Sequence, residues 1–438
     1  VADLSDSLQN SCGVRHSPSL AHTPRRSGRF TGRSIIGPVT DLEKRPALRR
    51  AAPALLGYAA VRALGLLVLA LWSGAQDKSA YTLLTARWDA LWYTRVAELG
   101  YGYEVRLPNG DVHSNLAFFP LLPWLERLLA AVTPLSYADA GFAVALLASL
   151  AAAWGIFAVA DRVYGRRVGV CAVLLWAVLP VGIVQSMAYS ESLFTALAAW
   201  SLYAVLTGRW VTAGVLASLA GLTRPVGLAV VAAVWVTAIA SFVRDRSAAG
   251  AQGAHAPARA PSPAVGSTAT GAPAWRRALG MALAPLGAAA YVLWVGHRTG
   301  RGPLGYLDVQ AGWRNGFDGG YAFARFVADK FTSFPSALAG VGLIVGVGLV
   351  GWLYVVCVRQ GQPLPLLVYA GVVTALALCA SSYFGSKPRL LLPAFPLLLP
   401  LAAALARLRT PRSALVVGAV AAASATYGAF WLNGSGPP

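Results

Sequence analysis

Long apolar runs, broken by short and mostly basic polar stretches, make up most of the chain after residue 50. The first run, Ala51 to Gly74, is long enough to cross a bilayer, which takes about 20 apolar residues in a helix. Lys44, Arg45, Arg49 and Arg50 precede it and place its N-terminal end in the cytoplasm. The stretch 75–135 then forms a first extracytoplasmic loop, and its first part carries Asp77, Asp89, Glu98, Glu104 and Asp111. Within it, Trp88, Leu91, Trp92, Arg95, Val96 and Leu99 recur at helical spacing, which predicts an amphipathic helix lying at the interface with Trp at headgroup depth. Phe118-Phe119-Pro120-Leu121-Leu122-Pro123 follows. Its two prolines argue against a simple span, so residues 116–135 read as a second interfacial or re-entrant helix.

Further spans are expected at about 140–160 and 168–188, flanking the basic loop Asp161 to Arg167. A tight outer turn, Tyr189-Ser190-Glu191-Ser192, leads into a span ending near Leu206. Residues 211–222 are too short for a relaxed span and run into Thr223-Arg224-Pro225, the pattern of a broken helix with Arg224 at its outer end. A span to about Val243 precedes an Ala/Pro/Gly/Ser-rich stretch, 244–277, expected to be a flexible cytoplasmic linker. After a span at about 278–297, the outer loop Arg298 to Pro335 contains Tyr306, Asp308, Gln310, Trp313 and Arg314. Spans at about 336–357, 364–384 and 389–406, then a last one ending near Leu432, give about eleven transmembrane helices, with the N-terminus inside and the C-terminus outside. No internal repeat stands out, which disfavours an inverted-repeat transporter.

Composition fixes the class. Of 438 residues 57% are hydrophobic and only 12% charged, with mean hydropathy +0.58. Soluble domains carry about 25% charged residues, so this is an all-α polytopic integral membrane protein. The net charge of +19 sits mainly in the N-terminal tail and in short loops, where topology-setting charges belong, so nucleic acid is not the expected partner. Residues 1–50, rich in Ser, Arg, Gly and Pro, read as a disordered basic cytoplasmic tail and not as a signal peptide. Arg far outnumbers Lys, and Ala and Gly abound, a bias that suggests a GC-rich bacterial genome and a bacterial plasma membrane. The four cysteines show no disulfide or metal spacing.

Polar residues in such a chain need a reason. Asp89, Glu191, Arg224, and Lys387 with Arg389 are all expected on the outer face, which suits transfer of a group from a lipid phosphate. The departing phosphate needs cations, ideally Arg. The attacking hydroxyl needs a carboxylate to take its proton. Plainer roles exist for each. Asp89 could N-cap a helix starting at Ala90, Glu191 could cap its turn, and Arg224 could snorkel. Lys387 and Arg389 could anchor to headgroups, and Trp88, Trp92 and Trp124 could form an aromatic belt.

Arg87-Trp88-Asp89 with Trp92-Tyr93, Ala97 and Gly100-Tyr101 resembles the first-loop signature of the PIG-V-like mannosyltransferases. Phe118-Phe119-Pro120-Leu121 with Pro123, Tyr189 to Phe194, Thr223-Arg224-Pro225 with Gly227, and Arg389-Leu390-Leu391-Leu392-Pro393 resemble later motifs in the family's order, across roughly residues 51–406. The resemblance implies a GT-C-type fold and mannose transfer from a polyprenyl-phosphate donor to a lipid-linked or glycan acceptor. It implies Asp89 as the base, and Arg224 with Lys387 or Arg389 on the donor phosphate. Glu191 would position donor or acceptor, and Arg87, Trp88, Trp92, Tyr93, Gln310 and Trp313 would line the substrate site. Trp92-Tyr93 stand where eukaryotic members, which act on the GPI anchor, tend to have His-Phe, so the acceptor stays open. Some GT-C enzymes bind a divalent ion, but Asp89 has no adjacent acid to complete a site, and no cofactor is called for. Two alternatives remain: transfer of another sugar, such as arabinofuranose or glucose, and a non-enzymatic transporter or flippase. A lateral lipid groove leading to Asp89 would favour the transferase.

Overall fold

The computed structural model describes residues 47–254 and 272–434. The expected tail lies almost wholly outside the described residues, as does the middle of the expected linker, 255–271. Helix α1 spans Ala47–Gly74, beginning four residues before the apolar run. On the face where it ends stand α2 (Ala80–Thr85), α3 (Asp89–Leu99), a two-stranded antiparallel hairpin of β1 (Glu104–Arg106) and β2 (Val112–Ser114), and α4 (Leu121–Val132). The apolar pattern does not predict the hairpin. Its turn, Asn109-Gly110, is a strong hairpin dipeptide, and Gly110 adopts a positive φ of 86° there.

The chain then crosses back as α5 (Tyr137–Tyr164), capped by Ser136, whose side chain accepts from the Asp139 amide. It continues through α6 (Arg166–Ala177), α7 (Ser190–Leu206), α8 (Trp210–Gly221) and α9 (Leu228–Ala254). After residue 271 come α10 (Ala274–Leu283), α11 (Leu286–Thr299), α12 (Gly305–Gly312), α13 (Tyr321–Asp329) and α14 (Ser336–Arg359). The last elements are α15 (Leu364–Cys379), the short α16 (Lys387–Leu390), α17 (Leu399–Arg407) and α18 (Thr410–Asn433).

Among the described residues, six helical stretches are long and apolar enough to cross a membrane: α1, α5, α9, α10 with α11, α14 and α18. A seventh would be the pair Phe384–Leu390 and Phe395–Arg407, bent by 75°. The expected count of about eleven includes α6, α7, α8 and α15, which have only 12, 17, 12 and 16 residues. Each falls short of the about 20 that a relaxed span needs. The run expected at 168–188 stops at Ala177, because Pro180 cannot continue a helix, and the chain proceeds as a 3₁₀ turn over Gly182–Ser186. Arg62, buried in α1, donates to the carbonyls of Ala177 and Gly182 that flank this break. Backbone at membrane depth needs such partners.

The linker also differs. Helix α9 runs on through 244–254, and α10 begins at Ala274, so both ends of the expected flexible stretch are helical. Arg277, at the end of the expected linker, is buried. It pairs with Asp245 at 2.6 Å and donates to Ser241 Oγ at 2.9 Å, joining α10 to α9.

Hydrogen bonds show which loops share a face. Lys78 donates to Asn433 O (2.8 Å), Arg298 to Tyr101 O (3.1 Å) and Trp313 to Ser114 O (3.0 Å). Loops 75–135 and 298–335 and the end of α18 therefore meet on one face. Arg50 with Asp161 (3.0 Å) and Arg277 with Asp245 lie at the opposite ends of the spans. The fold thus places the first loop, the start of α7, the break before α9, and α16 where they can meet.

Candidate active site

Asp89 is the first residue of α3, and its side chain makes no capping bond there, unlike the plain N-cap role open to it in sequence. The residue before it, Trp88, has φ 49° and ψ −120°, a sparsely populated conformation for a bulky side chain. Arg87 holds this turn. Its guanidinium stacks 3.8 Å from the Trp88 ring centroid and donates to Leu432 O (3.0 Å) and Gly434 O (3.3 Å). Arg87 and Trp88, expected to line the substrate site, stack on each other directly before Asp89, and Arg87 ties this turn to the end of α18.

Glu191 lies in the first turn of α7, Arg224 directly before the 3₁₀ turn Pro225–Gly227, and Arg389 on α16. These three and Asp89 form one alternating chain of charge. Arg389 Nη2 is 2.9 Å from Asp89 Oδ2, Arg389 Nε is 3.2 Å from Glu191 Oε1, and Arg224 Nη1 is 2.5 Å from the same Glu191 oxygen. The two acids offset the two arginines. They are not equivalent: the Glu191 side chain is 1% exposed and that of Asp89 25%. Glu191 is spent on the arginines, while Asp89 can be reached. Arg389 keeps its Nη1 buried without a hydrogen-bond partner.

Two flanking residues complete the cluster. Ser190 Oγ accepts from Arg224 Nη1 (3.3 Å) and shares a proton with the Tyr93 hydroxyl (2.7 Å). Burial pushes the Tyr93 hydroxyl well above its ordinary pKa, so it stays neutral. The Arg389 guanidinium lies 5.1 Å from the Tyr189 ring centroid. Ser190 and Tyr189 were not singled out from sequence, although both stand in the polar turn beside Glu191, which was the available signal.

Trp92, expected at headgroup depth, packs within protein. Phe118 stacks on it at 5.6 Å, Trp313 meets it edge-on at 5.0 Å and Tyr103 lies at 5.6 Å. At helical spacing it projects within about 60° of Asp89, so this aromatic wall adjoins the acid. Trp313 also stacks on His113 (4.0 Å), and burial lowers the His113 pKa.

Gln310 is committed elsewhere. Its amide donates to the Tyr306 hydroxyl and Ala117 O, and its oxygen accepts from Asn315. It packs α12 on the first loop. Lys387, expected on the donor phosphate, points away from the acids and donates to backbone carbonyls of Ala377, Leu378 and Ala380. Another acid escaped the sequence reading: Glu126 of α4 is fully buried, with neither oxygen hydrogen-bonded. It stands four residues from the buried Leu122, on the apolar face of the helix, where a carboxyl is conspicuous.

An apolar groove of about 340 Å³ runs between α5, α7 and α8, lined by Ala148, Ala151, Leu193, Leu197, Trp200 and Leu216. Its α7 residues lie on the side of that helix opposite Glu191. Among the described residues no group of three or more His, Cys, Asp or Glu side chains gathers as metal ligands.

The family model for dolichyl-phosphate-mannose-protein mannosyltransferases matches residues 115–254, less than half of the chain. That stretch holds Ser190, Glu191 and Arg224 but neither Asp89 nor Arg389. No curated protein matches the chain. Among solved structures, ArnT from Cupriavidus metallidurans bound to undecaprenyl phosphate is 16% identical with a TM-score of 0.47, over 82% of this chain and 61% of that one. The archaeal oligosaccharyltransferase AglB from Archaeoglobus fulgidus, in complex with an inhibitory peptide and a dolichol-phosphate, is 11% identical with a TM-score of 0.43, over 87% and 56%. The chain thus spans only about three-fifths of the length of these structures.

Proposed function

We propose that this chain is a GT-C-type membrane glycosyltransferase that moves a sugar from a polyprenyl-phosphate donor to an acceptor hydroxyl at the extracytoplasmic face. Mannose is the sugar that the PIG-V-like motifs and the matching family description both favour. The carrying observation is the chain Asp89–Arg389–Glu191–Arg224, which joins one accessible carboxylate to the buried Arg389 and the part-buried Arg224.

The chemistry follows from those groups. The acceptor hydroxyl gives its proton to the Asp89 carboxylate as its oxygen attacks the anomeric carbon from the side opposite the phosphate. The bond from that carbon to the phosphate oxygen breaks, and its electron pair leaves with the polyprenyl phosphate. Charge grows on the departing phosphate, and the arginines meet it there. Preorganised donors act most strongly where charge develops. Arg389, with Nη1 unpartnered, takes the phosphate, and Arg224 supports it from the other side of Glu191. An incoming phosphate competes with Asp89 for Arg389, so donor binding would release the carboxylate to act as a base. Tyr93 and Ser190 fix the Arg224 end.

The test is transfer of radiolabelled mannose from polyprenyl-phosphate mannose in membranes, with wild type beside Asp89→Asn. Loss of a general base costs about 10²–10⁴ in rate, so the correctly folded variant should fall by at least a hundredfold. Equal transfer by both removes Asp89 as the base. No transfer by either, in membranes supplying native acceptors, counts against this donor.

A further inference from the structure

Lys387 stands two residues before Arg389 on α16, yet it does not face the acids. Its ammonium donates to Ala377 O (2.9 Å), Leu378 O (3.2 Å) and Ala380 O (2.8 Å). These carbonyls lie at the C-terminal end of α15, where no intrahelical N–H is available to them. The positive charge also suits the negative end of that helix. An ammonium has three donors, and all three are committed, so none remains for a phosphate. The same ammonium lies 4.7 Å from the Phe323 ring centroid and 5.5 Å from that of Phe384, so α13 grips the corner as well.

The link from this anchor to Arg389 is short and stiff. Only Pro388 intervenes, and its ring fixes φ. The Leu391 amide closes on Lys387 O and the Leu392 amide on Arg389 O, both at 3.1 Å. Lys387 and Arg389 are 3% and 8% exposed, so neither is free to wander. Beyond them the chain turns through 75° towards α17.

We propose that Lys387 is a positioning residue: by tying α16 to the end of α15 it sets Arg389 between Asp89 and Glu191. Its effect on rate rests on the glycosyl-transfer function proposed above; its anchoring rests on the geometry alone. Removing the ammonium leaves the three carbonyls unpartnered and frees the corner, and Arg389 moves with it.

The experiment uses the full chain with Lys387→Met, Arg389→Gln and the double variant. Hydrogen exchange in detergent should quicken in Lys387→Met across 379–391 and stay unchanged in α1 and α5. Unchanged exchange across 379–391 would overturn the proposal, and faster exchange throughout the chain would do so too, as a general loss of stability. Mannose transfer should drop at least tenfold on Lys387→Met in the wild-type background and less than twofold in the Arg389→Gln background, since paired residues acting through one another are not additive. Equal losses in both backgrounds would overturn the proposal. If wild type transfers no sugar, the glycosyl-transfer function fails, while the exchange result still decides the role of Lys387.

Discussion

Arg389 touches both acids, and the demands on it are specific to a guanidinium. One planar fork reaches Asp89 and Glu191 and still has Nη1 unpartnered. A lysine is a single point charge and cannot span both carboxylates while meeting a phosphate. Arg389→Lys should therefore raise the KM for the polyprenyl-phosphate donor by about tenfold, equivalent to roughly 1.4 kcal/mol, with a smaller change in the KM for the acceptor; initial-rate kinetics against both substrates would check it. Glu126 allows a prediction that needs no substrate. Burial raises its pKa well above the ordinary carboxylate value, so the folded protein holds this proton more tightly than the unfolded chain does. A raised carboxyl pKa means that the unfolded state loses its proton first, so stability falls as pH climbs from the ordinary carboxylate value towards the folded one. Glu126→Gln removes this penalty. Its melting temperature should match wild type near pH 4 and exceed it increasingly towards pH 8; a constant difference would contradict the neutral buried acid. Charged site residues were legible because charge is rare in so apolar a chain. The tasks of Arg87 and Lys387 were not, since their partners are backbone carbonyls, which leave no mark in the sequence.

At the scale of elements, the small residues of α8, α10 and α11 form a seam. A Cβ on Gly287 of α11 would overlap the Ser218 carbonyl of α8, and one on Gly214 would overlap Gly280 O. Helices in membranes gain most of their association from such close approach. Gly287→Ala should cost about 1–3 kcal/mol, the range for overpacking, and lower the melting temperature in detergent. Gly348→Ala on α14, where a Cβ meets nothing within 4 Å, should be neutral or slightly stabilising. Equal behaviour of the two would remove the seam. The same buried packing bears on the lengths of the shorter apolar helices. An apolar run reports burial but not what does the burying. Helices α6, α7, α8 and α15 are apolar because protein surrounds much of them, and their lengths are set by breaks such as Pro180. Helix α14, which is mostly exposed, was the easy case.

For the whole molecule the remaining variable is orientation. The structure brings loops 75–135 and 298–335 and the end of α18 together on one face. Which face is cytoplasmic is read from charge. The short loops at one end, around 161–167, 207–209, 359–362 and 407–412, carry several arginines, and the two acids at that end, Asp161 and Asp245, are each paired with one. The cations at the other end are interleaved with eleven acids, and several are committed to partners there: Arg87 and Arg298 to carbonyls, Arg314 to Asp111 at 2.6 Å, Arg389 to Asp89. Topology follows Lys and Arg in short loops close to the spans, and acids count for little, so the arginine-rich end should be cytoplasmic and the Asp89 cluster extracytoplasmic. Asn109, exposed at the tip of the hairpin, and Gln360, exposed just after α14, sample the two faces. In a background without the native cysteines, Asn109→Cys in intact bacterial cells should react with a membrane-impermeant maleimide, and Gln360→Cys only after permeabilisation. The reverse pattern would put Asp89 on the cytoplasmic side, where nucleotide sugars are at hand, and the reason for a lipid-carried donor would disappear with it.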